Sequence, residues 1–283
     1  MKRLLALLIA LGSTHAAVAQ TPATPVLLNH LSAVLDSATY ADVAASPFLL
    51  AQFAASRGKM PLTWFGKHTY LELFDPHGLD GAQLGDVGIA LGVETPGAIA
   101  AIAHRYTGLG APFDTATERR GTPPQSEPFY HTFRPGGLDA TSRRTMLWIM
   151  EYAVDAARTQ ARKDSLPDND RGRDRFLADR YDPTRLLAEI TGATMAIPVD
   201  DITRLVRTME RLNVEVIREG EGAIIRFPSF TLRLIPAWER PGLRRLEFSL
   251  SRDAEANPSL RFGGHSRLRF GPGRVAAWDF ALP

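Results

Sequence analysis

The chain contains no cysteine. That rules out disulfides, thiolate catalysis and cysteine-ligated zinc. It carries no Asn-x-Ser/Thr acceptor, because Asn257 is followed by Pro258. After the first residues there is no apolar run long enough to cross a bilayer, which takes roughly 20 residues. The Gly-x-Ser-x-Gly elbow, the His-Glu-x-x-His helix, the phosphate loop and the dinucleotide fingerprint are all missing. Gly108-Leu109-Gly110 reads only as a helix stop.

A surplus of positive charge is missing too. Residues 1–19 combine Lys2 and Arg3, an apolar run from Leu4 to Leu11, and Ala17-Val18-Ala19. This is the three-part pattern of an export signal, with Gln20 as the expected new amino terminus and a periplasmic or secreted destination. Loss of Lys2 and Arg3 leaves 31 Lys plus Arg against 31 Asp plus Glu. A neutral chain lacks the basic face that a nucleic-acid partner requires. Without disulfides the mature protein must be held by its core, and the chain is long enough to bury one.

What is present is a repeated order of elements. Val26 to Asp36 alternates as a strand, Ala38 to Ala55 has helical spacing, and Leu62 to Phe65 and His68 to Phe74 alternate again. A second round starts with Val87 to Glu94, continues through a helix opened by Pro96, and ends in Phe129 to Phe133 and Thr145 to Ala153. Residues 155–185, dense in Arg and Asp, form a charged linker. Within them Asp168-Asn169-Asp170 resembles a calcium loop but lacks its later ligands. A third round, residues 186–252, holds Ile190 to Ile197, a helix capped by Asp200 or Asp201, and strands ending in Leu243 to Leu250. Residues 253–283 form a tail with a hairpin turned at Gly271-Pro272-Gly273. The predicted fold class is therefore α+β, with repeated βαβββ modules whose mixed sheets cup a common cleft and carry helices outside. Residues 26–154 hold a pair of such modules.

Strand alternation selects the candidate site. Leu27, Leu31, Ala33 and Leu35 form one face of the first strand, leaving His30 and Ser32 on the other. Tyr70, Glu72 and Phe74 share a face in the strand that closes the first module, so His30 and Glu72 look into the same concave space. Gly88, Ala90 and Gly92 share a face of the second opening strand, where small side chains leave room for a ligand. Each closing strand carries a carboxylate between apolar residues: Glu72, Glu151 and Glu247. The plain reading of His30 is a buried, hydrogen-bonded histidine. Glu72 is harder to place so simply, since a buried carboxylate needs a partner. Glu247 reads as paired with Arg244 or Arg245, and Trp64 and Trp148 read as core.

Asn29-His30-Leu31, Tyr70-Leu71-Glu72-Leu73 and Trp148-Ile149-Met150-Glu151-Tyr152 resemble the glyoxalase-like branch of the vicinal oxygen chelate superfamily. The order of segments is closest to an uncharacterised group of exported bacterial glyoxalase-like proteins. The resemblance implies one divalent metal in a cupped sheet, held by the first and last strands of two modules. Carried over by position, His30, Glu72 and Glu151 are metal ligands and Gly88 takes a fourth place that cannot ligate. Such a set suits Zn, Mn, Fe or Mg. Glu72 or Glu151 would then be catalytic, as ligand or proton carrier. His131 is a candidate replacement for the missing ligand, and Ser32, Tyr70, Gly88 and Ala90 would line the pocket. Two functions follow: a metal-dependent enzyme acting on a small oxygen-bearing substrate, or a non-catalytic small-molecule-binding protein of the same fold.

Overall fold

The computed structural model describes residues 25–57, 60–78, 80–122, 126–136, 144–153, 173–254 and 259–281. The export signal, the calcium-like run 168–170 and most of the charged linker lie outside the described residues.

Two eight-stranded sheets are built on one plan. In the first, β1 (Val26–Val34) leads through α1 (Ser37–Ala45) to β2 (Ala55–Arg57), β3 (Leu62–Phe65) and β4 (Tyr70–Phe74). Then β5 (Val87–Val93) leads through α2 (Ala98–Gly108) to β6 (Phe113–Arg120), β7 (Glu127–Pro135) and β8 (Thr145–Tyr152). The strand order is β2-β3-β4-β1-β5-β8-β7-β6, with β1 and β5 antiparallel at the centre. The short helix α3 (Arg173–Ala178) leads to the second sheet. There β9 (Leu187–Ile197), α4 (Val199–Arg211), β10 (Glu215–Glu219), β11 (Gly222–Phe227) and β12 (Phe230–Pro236) repeat the plan. The remaining strands are β13 (Gly242–Leu250), β14 (Ser259–Phe262), β15 (Ser266–Gly271) and β16 (Val275–Phe280). They give the order β10-β11-β12-β9-β13-β16-β15-β14.

The four-stranded module recurs four times, three of them as βαβββ. Leu243 to Leu250 does not close the third module as the sequence suggested. It pairs antiparallel with β9 and opens a fourth module, which includes the expected carboxy-terminal hairpin. The fourth module has no described helix, so it lacked the 3.6-residue spacing that marked the others.

Two local departures have plain causes. Expected helical spacing over Ala38 to Ala55 is interrupted, because the residue before Pro47 is pushed out of the helical region. Ser46 is extended, with φ −69° and ψ 112°, and the chain resumes as a π-helical turn at Leu49–Phe53. In β1 the register shifts between Leu28 and His30, so Asn29 is a bulge residue. Val26 and Leu28, rather than Leu27, therefore face the core before the bulge, and Leu31 and Ala33 after it.

The core lies between the two sheets, with α1, α2 and α4 around it. Trp64 of the first sheet stacks on Trp278 of the second at 5.3 Å, and Phe53 meets Phe248 edge-on at 5.5 Å. A polar pin joins the sheets. Glu189 of β9 accepts from His68 N at 2.6 Å, from the Thr69 hydroxyl and from Ile190 N at 2.9 Å, while Lys67 N donates to Ala188 O at 2.9 Å. The opposite, concave face of each sheet is left for other uses.

Candidate functional site

The concave face of the first sheet holds a cleft of about 1070 Å³. Its floor is set by β1 and β4, which run parallel with His30 opposite Tyr70 and Ser32 opposite Glu72. Alternation then points His30, Tyr70 and Glu72 to one side. His30 is only 4% exposed, with Tyr70 stacked on it at 4.2 Å and Trp148 edge-on at 5.3 Å. The bulge turns Asn29 to the same site. Its Nδ2 donates to Tyr152 Oη at 3.3 Å, which leaves Oδ1 to accept from His30 Nδ1 at 2.9 Å. With Nδ1 carrying the proton, Nε2 presents a lone pair, and Glu72 Oε2 lies 3.7 Å from it.

Both groups are perturbed by burial. Desolvation pulls the His30 imidazole down to about 3, so it is neutral at ordinary pH. Desolvation pushes the Glu72 carboxyl up to about 7. Burial disfavours the charged form in both cases, which moves an acid up and a base down. The Tyr70 hydroxyl is raised well above its ordinary value, first by burial, then by Tyr152 and Glu72. The site thus holds a neutral base beside an acid that exchanges its proton near neutral pH.

The other sequence-predicted residues divide clearly. Glu151 is not in the cup. Register places Trp148 opposite Ala90 and Met150 opposite Gly92, so Trp148, Met150 and Tyr152 face the cleft and Glu151 faces the helices. There it accepts from Gly97 N at 2.6 Å and Ile99 N at 2.9 Å, capping the amino terminus of α2. A carboxylate suits that end of a helix, where unpaired N–H groups and the helix dipole meet. His131 pairs across the strands with Glu151 and shares its face, with Nδ1 2.9 Å from the Thr117 hydroxyl. It borders a separate groove of about 530 Å³ beside α2, so it replaces no ligand in the cup. Ser32, Gly88 and Ala90 do not line the cleft. The absence of a side chain at Gly88 makes room for protein, not ligand: a Cβ there would meet Ser32 Oγ at 2.1 Å and the Trp148 ring at 3.1 Å.

The donor set does not fit a resident divalent metal. Once Glu151 is assigned to the helix cap, the floor of the cup brings together one imidazole nitrogen and one carboxylate, while Asp86 and Glu118, which also line the cleft, lie 3.7 Å from Arg144 and 3.8 Å from Arg134. Catalytic zinc sites use three protein ligands. Among the described residues no group of three or more His, Asp or Glu side chains is placed to hold an ion.

Several cup residues were missed in the sequence. Tyr130, Tyr152 and Arg120 come from strands whose alternation is weak in composition, and β6 was not recognised as a strand. Its sequence, Phe113–Arg120, is mostly polar and its burial pattern shows little of the core. Helix α3 was hidden in the charged linker. It lies over the cleft, with Leu177 fully buried against Phe65 and Tyr70, and Phe176 stacked on Tyr152 at 4.8 Å. Arg173 ties it down by donating to Leu28 O and pairing with Glu94 at 3.2 Å. No feature of the linker's composition marks this role, because a single apolar pair within charged residues carries no periodicity.

No curated protein sequence is similar enough to match this chain. Among solved structures, a hypothetical protein from Staphylococcus aureus is similar with a TM-score of 0.49 and 10% identity, over 84% of this chain and 96% of that one. A Mn(II)-bound glyoxalase from Novosphingobium aromaticivorans gives 0.45 and 10% identity over 89% and 81%. Homoprotocatechuate 2,3-dioxygenase from Arthrobacter globiformis gives 0.42 and 15% over 77% and 62%. A family profile matches residues 28–280, which span all four modules. The chain belongs to that family, described as a family of unknown function (DUF5829).

Proposed function

We propose that this is an exported, glyoxalase-like small-molecule-binding protein whose site is the aromatic cup of the first sheet. His30 and Glu72 meet a polar oxygen of the ligand at the floor of that cup. The observation that carries this reading is their placement: an imidazole lone pair and a carboxyl oxygen 3.7 Å apart, both bordering one cleft. Apolar walls with a few convergent polar groups are the usual make-up of a small-molecule site. A ligand hydroxyl donates to His30 Nε2, and a ligand carbonyl accepts from the protonated Glu72. With an acid poised near neutrality, the same arrangement moves a proton to or from a bound substrate. That is the enzymatic form of the proposal, with Glu72 as proton carrier and His30 holding the oxygen.

Ligand-observed NMR with a library of small hydroxy and carbonyl compounds tests it. Binding that is weakened by His30→Ala and by Glu72→Gln, in variants shown to be folded, is the expected result. No binding, or binding indifferent to both changes, sinks the reading. Among compounds that bind, turnover by wild type that Glu72→Gln abolishes even at ligand concentrations that saturate the variant marks the enzyme. Export is tested by amino-terminal sequencing of protein from the medium or periplasm, which should begin at Gln20.

A further inference from the structure

The mouth of the cup carries charge that the His30–Glu72 floor does not use. Arg120, the last residue of β6, lies with its guanidinium carbon 3.3 Å from the centroid of the Phe129 ring on β7. At that distance the planar group stacks on the ring, and its N–H donors point sideways in the plane, unobstructed by the stack. The titratable groups that act on it are Tyr152, Tyr130 and Tyr70. Among the described residues no carboxylate pairs with it. Arg134, on the same face, differs: Asp114 and Glu118 each lie 3.8 Å from it. Arg120 is thus a positioned cation with no carboxylate partner among the described residues, opening on a cleft walled on one side by the stacked Tyr152 and Phe176 and elsewhere by Tyr130 and Trp148.

We propose that the cup's ligand is a small planar monocarboxylic acid whose carboxylate is bound by Arg120, its flat body lying between the aromatic walls and its far polar oxygen reaching His30 and Glu72. This rests on the cup being the ligand site. Guanidinium edge and carboxylate match in plane and spacing, so two parallel N–H···O bonds form. One uncompensated guanidinium balances one negative charge. A second negative charge would meet a cleft that also carries the carboxylates Glu72, Asp80, Asp86 and Glu118, which is unfavourable.

The test measures, by calorimetry or NMR titration, paired probes that differ only in charge: benzoate with benzamide, cinnamate with cinnamamide, and 4-hydroxybenzoate with its amide. Wild type should bind at least one acid ten or more times tighter than its amide. Arg120→Met, which keeps an apolar chain over Phe129, should abolish that preference while leaving amide affinity within about twofold. Arg120→Lys should keep part of the preference, since charge remains but the two-pronged geometry does not. Acid and amide bound equally by wild type, or a preference that survives Arg120→Met, overturns the inference. If neutral fragments bind in a His30-dependent way and acids gain nothing, the inference fails and the cup remains a ligand site. If neither kind of probe nor the wider library binds, both fail.

Discussion

Replacing Glu72 by Gln should stabilise the protein at alkaline pH and do nothing at acid pH. In the unfolded chain this carboxyl has its ordinary value of 4.5, whereas burial in the cup raises it to about 7. As pH rises from 4.5, the unfolded state gives up its proton first and the folded state keeps it. Folded protein then binds more protons than unfolded, so stability falls as pH rises, until both forms are ionised above the folded value. The rise from 4.5 to about 7, at about 1.4 kcal/mol for each tenfold change in proton affinity, sets the full cost at roughly 3 kcal/mol. Gln has nearly the same shape and no charge, so the variant escapes this cost. Urea unfolding of both proteins at a series of pH values gives the difference directly. It should be near zero at about pH 4, grow through neutrality, and level off near about pH 8 at up to roughly 3 kcal/mol in favour of Gln. The His30 titration is common to both proteins and drops out of the difference to first order. A difference of constant size across pH would refute the desolvation argument. A variant less stable than wild type at neutral pH would show that Glu72 is ionised and paired, as a bound cation would make it.

Three further outcomes follow from the same geometry. Elemental analysis of protein purified without chelator or metal-affinity tag should find no stoichiometric divalent metal, and His30→Ala/Glu72→Ala should leave that result unchanged; a metal present in wild type and lost in the double variant would overturn the donor-set argument. Glu151→Ala should cost about 1–2 kcal/mol, the usual worth of a helix cap, because Gly97 N and Ile99 N lose their acceptor. It should leave ligand binding in the cup intact, and loss of binding with unchanged thermal stability would return Glu151 to the site. Gly88→Ala should lower stability by roughly 1–3 kcal/mol as Ser32 and Trp148 are forced apart; a neutral effect in thermal unfolding would mean that the cup floor yields easily.

The fold was legible wherever a helix marked a module. Val43, Phe48, Leu49 and Phe53 in the first and the apolar stripe of α4 in the third read as helical, and all of them are buried except Phe48, which is partly buried against the same core. The fourth module was not legible, because β13 and the hairpin carry no described helix between them. At the site, His30 and Glu72 were readable because parallel pairing and period-two alternation place them on one face. Glu151 failed for a reason of phase. The carboxylate–apolar pattern of Leu71-Glu72-Leu73 recurs around Glu151, yet a one-residue offset in strand register reverses the face. Only the pairing of Trp148 with Ala90 fixes that phase, and it is a long-range fact. Arg120 and Phe176 were unreadable for a related reason, since their roles arise from segments that meet across the cleft without local periodicity.

The second sheet argues for where the chemistry belongs. Counting back six residues from the residue before each helix aligns Gly192 of β9 with His30 of β1. Their parallel partners are Thr231 and Tyr70. The same scaffold therefore puts an imidazole over an aromatic ring in one sheet and a bare backbone beside a threonine in the other. Gly192 faces Glu247, whose carboxyl oxygen lies 2.8 Å from where a Cβ would stand. On the rest of that face charges are spent on each other: Arg226 with Glu215 at 3.1 Å, Arg245 with Asp279 at 3.0 Å, and Arg269 with the same Asp279. Exposed pairs of this kind contribute little to stability, roughly 0–1 kcal/mol each. They leave the face hydrated and most of its charge offset. The first sheet instead buries the Nε2 of His30 3.7 Å from the Glu72 carboxyl, without a hydrogen bond to it, and sets Arg120 at the mouth with no carboxylate partner among the described residues. Desolvated polar groups without internal partners are costly to keep. Two sheets of one design differ in this way at equivalent positions, and the difference supports the first as the proposed ligand site.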